Sequence, residues 1–163
     1  MTSKWLPRGL STLGLLVLLC SFRNPWVIMR VGDLKISYTP YSLLDWLASG
    51  GQASALELLT IAENLEAAVR LYSIFLLHSF LFALALIICL LTPITASVGS
   101  CALSAVFSIA SLATLHYFIE ELVKELKASG VACGFQLGSG AMLITFSIIL
   151  YLGGALSAWR ISK

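Results

Sequence analysis

Residues 24–40 read NPWVIMRVGDLKISYTP, a β-patterned ribbon inside a chain otherwise written for hydrocarbon. Two runs of alternating character, residues 26–31 and 34–39, flank Gly32-Asp33, and a two-residue turn with glycine first suits a type II′ hairpin whose twist matches its strands. In that register Val27, Met29 and Val31 share a face with Leu34, Ile36 and Tyr38. Arg30, Lys35 and Ser37 share the other. A two-stranded ribbon is marginal alone in water, so its apolar face is expected to rest on helix ends or a bilayer surface.

The surrounding chain explains why helix ends should be near. Of 163 residues, 59% are hydrophobic and only 11% charged, and the mean hydropathy is +0.95, outside the range of ordinary soluble domains. Crossing about 30 Å of hydrocarbon takes roughly 20 apolar residues in a helix. Four segments qualify: residues 5–22, 71–91, 94–118 and 133–159. The first, behind Lys4 and Arg8, has the outline of a secretory signal peptide. No small-x-small cleavage site follows it, and Leu19-Cys20 is a poor lipoprotein-type junction, so it reads as a retained anchor. Trp5 at one end of the chain and Trp159 beside Arg160 at the other are placed as interfacial residues.

With four spans, both termini and a turn at residues 92–95 share a side that carries Lys4, Arg8, Arg160 and Lys163 and no acid. All eight Asp and Glu fall on the other side, in residues 23–70 and 119–132. The density of Lys and Arg puts the termini in the cytoplasm. The expected fold is an all-α membrane protein, a single domain over residues 1–163: a four-transmembrane-helix up-and-down bundle with a small extracytoplasmic β-hairpin cap in the first loop.

Within that cap, Thr39-Pro40 offers an N-cap and a first-turn proline for a short amphipathic helix over residues 41–48, stopped by Ser49-Gly50-Gly51. The second helix begins outside the bilayer, with Glu57, Glu63 and Glu66, the last spaced to pair with Arg70. The third runs past the membrane into Glu120, Glu121, Lys124, Glu125 and Lys127, where Glu120 and Lys124 have the favourable i, i+4 order, until Ser129-Gly130.

Four spans, a β-containing first outer loop, a tight inner turn and an overlong third helix together resemble the claudin-type tetraspan architecture. The loop has Trp26 where claudins carry a tryptophan, without their paired cysteines. PWVIMRVGDLKISYTPYSLL resembles the proline-tryptophan loop of small uncharacterised prokaryotic four-helix membrane proteins, and GFQLGSGAMLITFSIILYLGGAL resembles their last helix.

Small and polar residues mark helix packing. Ser97, Ser100, Ser104, Ser108 and Ser111 recur at three- and four-residue steps on one face of the third helix. Gly134 and Gly138 form GxxxG at the start of the fourth, a pattern that permits close helix approach. Three uses fit these residues: packing within the bundle, a self-association face, or the polar lining of a permeation path. Cys20 and Cys133 fall near the outer ends of neighbouring helices, where a disulfide is conceivable in an oxidising compartment, against the alternative of two free thiols. Cys89 and Cys101 flank the inner turn and stay reduced. His78 and His116 are intramembrane ionisable groups, separated by about 10 Å in depth. For each, a neutral ring hydrogen-bonded between helices is preferred over a proton relay or metal site.

The sequence contains no Walker loop, GxSxG, HExxH or dinucleotide fingerprint, and no basic cluster of nucleic-acid type. No catalytic residue, cofactor or metal is therefore expected, and no nucleic acid. The expected partners are the lipid bilayer and either a protein partner or a second copy, forming a homo-oligomer. Trp26, Tyr38, Tyr41 and Trp46 are the candidate interface residues. The alternative is a small transporter or channel subunit whose path is lined by the serine stripe and His78.

Overall fold

The computed structural model describes residues 5–31, 34–40 and 65–162. The Gly32-Asp33 turn, the amphipathic run at residues 41–48 with Tyr41 and Trp46, its Ser49-Gly50-Gly51 stop, Glu57 and Glu63 lie outside the described residues. The elements follow in the order α1 (Trp5–Ser21), β1 (Val27–Val31), β2 (Leu34–Tyr38), α2 (Leu65–Thr95), α3 (Val98–Ala128), β3 (Cys133–Leu137) and α4 (Ser139–Ser162). Helices α2, α3 and α4 are long and apolar enough to cross a membrane, and α1 is a shorter apolar helix.

The link between α2 and α3 is only Ala96 and Ser97. It falls later than the expected turn at residues 92–95, so Ile94 belongs to α2 rather than to the third helix. Pro93 sits in the last turn of α2, where its missing N–H costs one bond, and the Thr92 hydroxyl donates to the Ile88 carbonyl at 2.7 Å. Ala96 then takes a left-handed φ of +43° to reverse the chain. Ser97 starts α3 through a capping box, its side chain accepting from the Ser100 amide while the Ser100 hydroxyl accepts from the Ser97 amide. Those two serines therefore cap a helix instead of packing one.

Beyond that turn, contacts pair rising positions on α2 with falling positions on α3. Thr92 bonds Ser104 at 2.7 Å, His78 bonds the Ser111 carbonyl at 3.0 Å, Phe75 stacks on Phe118, and Arg70 reaches Glu125 at 2.6 Å. Helix α1 lies against α4, where the Ser147 hydroxyl donates to the Gly14 carbonyl at 2.7 Å. The Tyr151 ring lies flat over Gly14, and a Cβ there would stand 3.3 Å from the ring, so the small residue sets this approach.

Beside an apolar core, the bundle buries polar groups and exposes large apolar ones. His78, Thr92, Ser104, Ser108, Ser111 and Ser147 are buried, whereas Phe80, Ile94, Met142 and Leu156 are more than half exposed. Large apolar side chains also project from every helix along its length.

The hairpin forms in the expected register, with Val27 opposite Tyr38, Met29 opposite Ile36 and Val31 opposite Leu34. It is not alone. Residues 133–137, CGFQL, are a third strand paired antiparallel to β1, giving the order β2-β1-β3. The fourth helix therefore starts at Ser139, six residues later than the hydropathy window placed it. Cys133, Phe135 and Leu137 alternate with Gly134 and Gln136, a period of two that a long apolar window averages away.

Gly134 and Gly138 consequently form no helical GxxxG. Gly134 lies mid-strand, and Gly138 is the switch from strand to helix, its N–H donating to the Trp26 carbonyl at 2.9 Å. Gly140 follows with a bond from its N–H to the Pro25 carbonyl at 2.9 Å. A Cβ on Gly140 would stand 2.4 Å from Trp26 Cδ1 and 2.6 Å from the Asn24 carbonyl oxygen.

This contact makes a sign test. Glycine to alanine inside a helix ordinarily stabilises by about 1 kcal/mol. Gly140→Ala should instead destabilise by about 1–3 kcal/mol through overpacking. The measurement is the thermal unfolding midpoint in mild detergent, with Gly153→Ala as control. There the nearest atom to a new Cβ is a flexible Leu10 methyl at 3.7 Å, and the midpoint should hold or rise.

Candidate functional site

One of the fastenings between the sheet and the helices is a histidine. His78 of α2 is fully buried, and its Nδ1 lies 3.0 Å from the Ser111 carbonyl oxygen of α3. A carbonyl only accepts, so Nδ1 carries the hydrogen. Nε2 of the neutral ring is then an acceptor, and the Tyr38 hydroxyl, 3.0 Å away on β2, donates to it. Burial pushes the Tyr38 phenol well above its ordinary ionisation range, which keeps it a donor. Phe75 and Phe82 flank the imidazole with ring centroids at 6.5 and 6.3 Å. His78 is thus the helix-bridging histidine that the sequence led us to expect, with a strand residue added as its second partner.

Trp26 and Tyr38 are not free interface anchors. Trp26 is fully buried: its indole N–H donates to the Ser21 carbonyl at the end of α1, and its ring meets Phe82 edge-on at 5.6 Å. The polar tips that suggested an exposed contact are spent inward. Alternation had placed Tyr38 on the greasy face of the ribbon, and that face packs on α2. Tyr41 and Trp46, the other two interface candidates, lie outside the described residues.

Of the serine stripe, Ser104, Ser108 and Ser111 are buried between helices. Ser104 bonds Thr92, and Ser108 lies 3.8 Å from the Cys89 thiol. The Tyr151 hydroxyl finds no oxygen or nitrogen partner and faces Cys89 and Cys101. His116 is not held between helices. It is half-exposed, 3.2 Å from Glu120 and against the Phe135 ring at 5.5 Å, and it does not meet His78.

Cys20 and Cys133 are both free thiols. Because β3 precedes α4, Cys133 stands beside α3, its thiol donating to the Val123 carbonyl at 3.4 Å, while Cys20 is exposed on α1. The charges above the bundle pair partly across helices and partly at helical spacing, though not as Glu66–Arg70 and Glu120–Lys124. Arg70 reaches across to Glu125 and Glu121 of α3, Lys124 sits 3.8 Å from Glu121, and Glu120 takes His116. Among the described residues no three His, Cys, Asp or Glu gather as a metal-binding group.

What remains outward is the polar face of the sheet. Arg30 is directly opposite Lys35 on β2 and opposite Gly134 on β3. Like charges opposed across strands repel, and among the described residues neither cation has a carboxylate partner. Beside them lies a shallow hollow of about 430 Å³, lined by Ile28, Arg30, Gly134, Phe135 and Gln136. Uncompensated cations beside a concave surface suit an acidic group from outside the chain. The chain matches no family model, no curated protein and no solved structure.

Removing the Tyr38 hydroxyl leaves a buried imidazole nitrogen without its donor, which costs about 1–3 kcal/mol. Tyr38→Phe should lower the unfolding midpoint accordingly, and the same change in a His78→Leu background should cost at least about 0.5 kcal/mol less. Additive losses in that double-mutant cycle would mean that the hydroxyl and the ring do not act together.

Proposed function

We propose that this chain is an integral membrane structural or accessory protein, whose four helices thread the bilayer up and down with both termini in the cytoplasm. Its extracytoplasmic sheet then docks a partner subunit or a second copy of the chain. The observation that carries the membrane part is the outer surface of the bundle: beside an apolar core it buries hydroxyls and an imidazole, while large apolar side chains also cover its outward faces. In water such a surface would aggregate, whereas in lipid it is the stable arrangement. Helices α2 and α3 are each 31 residues, about 46 Å at helical rise, longer than the hydrocarbon core. Their surplus fits the acidic and basic residues at the sheet end, from Glu66 and Arg70 to Glu120 and Lys127.

Docking rests on the outward face of the sheet. Apart from Tyr151, the buried hydroxyls such as those of Ser79, Thr92, Ser104 and Ser147 are already bonded within the bundle, which supports a scaffold over a conducting path, because a path needs polar groups left over for water or solute. Recognition is by shape and charge. The hollow receives a side chain or loop, and Arg30 and Lys35 pair with its carboxylates, which relieves their mutual repulsion on binding. The claudin-type likeness of the outer loop belongs to the same proposal, as an architecture in which a small sheet on a tetraspan faces its neighbours.

The test is native mass spectrometry of the full chain in mild detergent, comparing the wild type with Arg30→Glu/Lys35→Glu. The wild type should retain a second copy or a partner subunit, and the charge-reversed chain should keep its unfolding midpoint yet lose that species by about tenfold or more. A wild type that runs only as a monomer, or a partner indifferent to the reversal, overturns the docking role. Tags at either end labelled from outside intact cells would overturn the orientation.

A further inference from the structure

The end of the bundle away from the sheet carries a second site. There α1, the α2–α3 link and α4 enclose a cavity of about 700 Å³, whose lining includes Trp5, Arg8, Ser97, Val98, Gly99 and Ile161. We propose that this cavity holds the phosphodiester headgroup of an anionic phospholipid from the surrounding leaflet, an inference that rests on the membrane reading above.

Charge carries the argument first. Arg8 lines the cavity, and among the described residues its guanidinium has no ion pair. No carboxylate side chain of α1, the α2–α3 link or α4 can pair with it, because those segments contain no Asp or Glu. Arg160 on α4 adds charge of the same sign, so this end favours an anion supplied from outside the chain. A planar guanidinium fits two oxygens of one phosphate at once.

Hydrogen-bond bookkeeping points the same way. The capping box already uses the amides of Ser97 and Ser100, and the Thr95 and Ser162 hydroxyls already donate to carbonyls of their own helices. Donors around the cavity include the Arg8 guanidinium and the first-turn amides of Val98 and Gly99, which have no acceptor within their helix. They come from two separate elements and face one space. Trp5, 76% exposed at the mouth, with Val98 and Ile161, offers the apolar flank that a glycerol backbone needs and a free phosphate ion does not.

The experiment equilibrates the full chain in detergent with a mixture of phosphatidylglycerol and phosphatidylcholine, and counts retained lipid by native mass spectrometry. The wild type should keep one phosphatidylglycerol in preference to phosphatidylcholine by about tenfold or more, Arg8→Gln should lose that preference, and Arg160→Gln, outside the lining, should keep it. Arg8→Lys, which keeps the charge without the fork, should retain only part, and decides the matter should the glutamine variant fail to fold. Equal loss in the Arg8 and Arg160 variants, no preference in the wild type, or displacement of the lipid by inorganic phosphate would overturn the inference. A carbonate wash separates the two levels: a chain extracted from membranes sinks the membrane reading itself, whereas a retained chain without lipid preference sinks only the headgroup site.

Discussion

The architecture depends on how tightly residues 24–26 are gripped. Within three residues the chain leaves α1, enters β1 and meets the start of α4, which is why no side chain fits at Gly138 or Gly140. The Trp26 amide takes the Tyr38 carbonyl, the Trp26 carbonyl takes Gly138, the Pro25 carbonyl takes Gly140, and the indole N–H takes the last turn of α1 at Ser21. Trp26 also presents its ring edge to Phe82 of α2. One short segment thereby satisfies backbone groups from a helix end, a strand and a helix start. On the membrane reading proposed above those groups have little water to turn to, and leaving them unpaired is expensive.

His78 provides the second fastening, and it works through a different chemistry. The aromatic cluster of Phe22, Trp26, Phe75, Phe82 and Phe118 is non-directional and would tolerate small slides of the sheet over α2. A neutral imidazole with one donor and one acceptor does not. By holding the Ser111 carbonyl on one side and the Tyr38 hydroxyl on the other, it fixes the α2–α3 register and the seat of β2 together. A polar group among apolar neighbours costs stability unless it is fully paired, and once paired it selects one arrangement among many similar greasy ones.

What the sequence disclosed follows the range of the interactions involved. Hairpin register was legible because alternation and turn chemistry are local, and the four helices were legible because hydropathy sums over many residues. The third strand was hidden by the same summation: CGFQL abuts a long apolar helix, and only its two-residue period betrays it. Trp26 and Tyr38 read as interface candidates because a polar tip can face either way, and their partners Ser21 and His78 lie on other elements. His78 itself was readable, since a lone histidine in an apolar span must be paired. The glycines at 134 and 138 showed that close approach was needed, but not whether helix or strand made it.

The two ends of the molecule handle charge in opposite ways. At the sheet end acids and bases are both present: among the described residues Glu120, Glu121 and Glu125 find partners on the helices, while Arg30 and Lys35 face each other without a carboxylate. At the other end α1, the α2–α3 link and α4 carry basic side chains and no Asp or Glu to compensate them. On the functions proposed above, a fold that sorts its charges this way gains two different selectivities from one apolar scaffold: a protein-facing surface where repulsion between two cations is relieved by a carboxylate, and a lipid-facing hollow where a single guanidinium meets phosphate. The helices between them need carry no chemistry of their own. Their buried hydroxyls serve to bond neighbouring backbones, and this is what holds the two ends at a fixed separation and orientation.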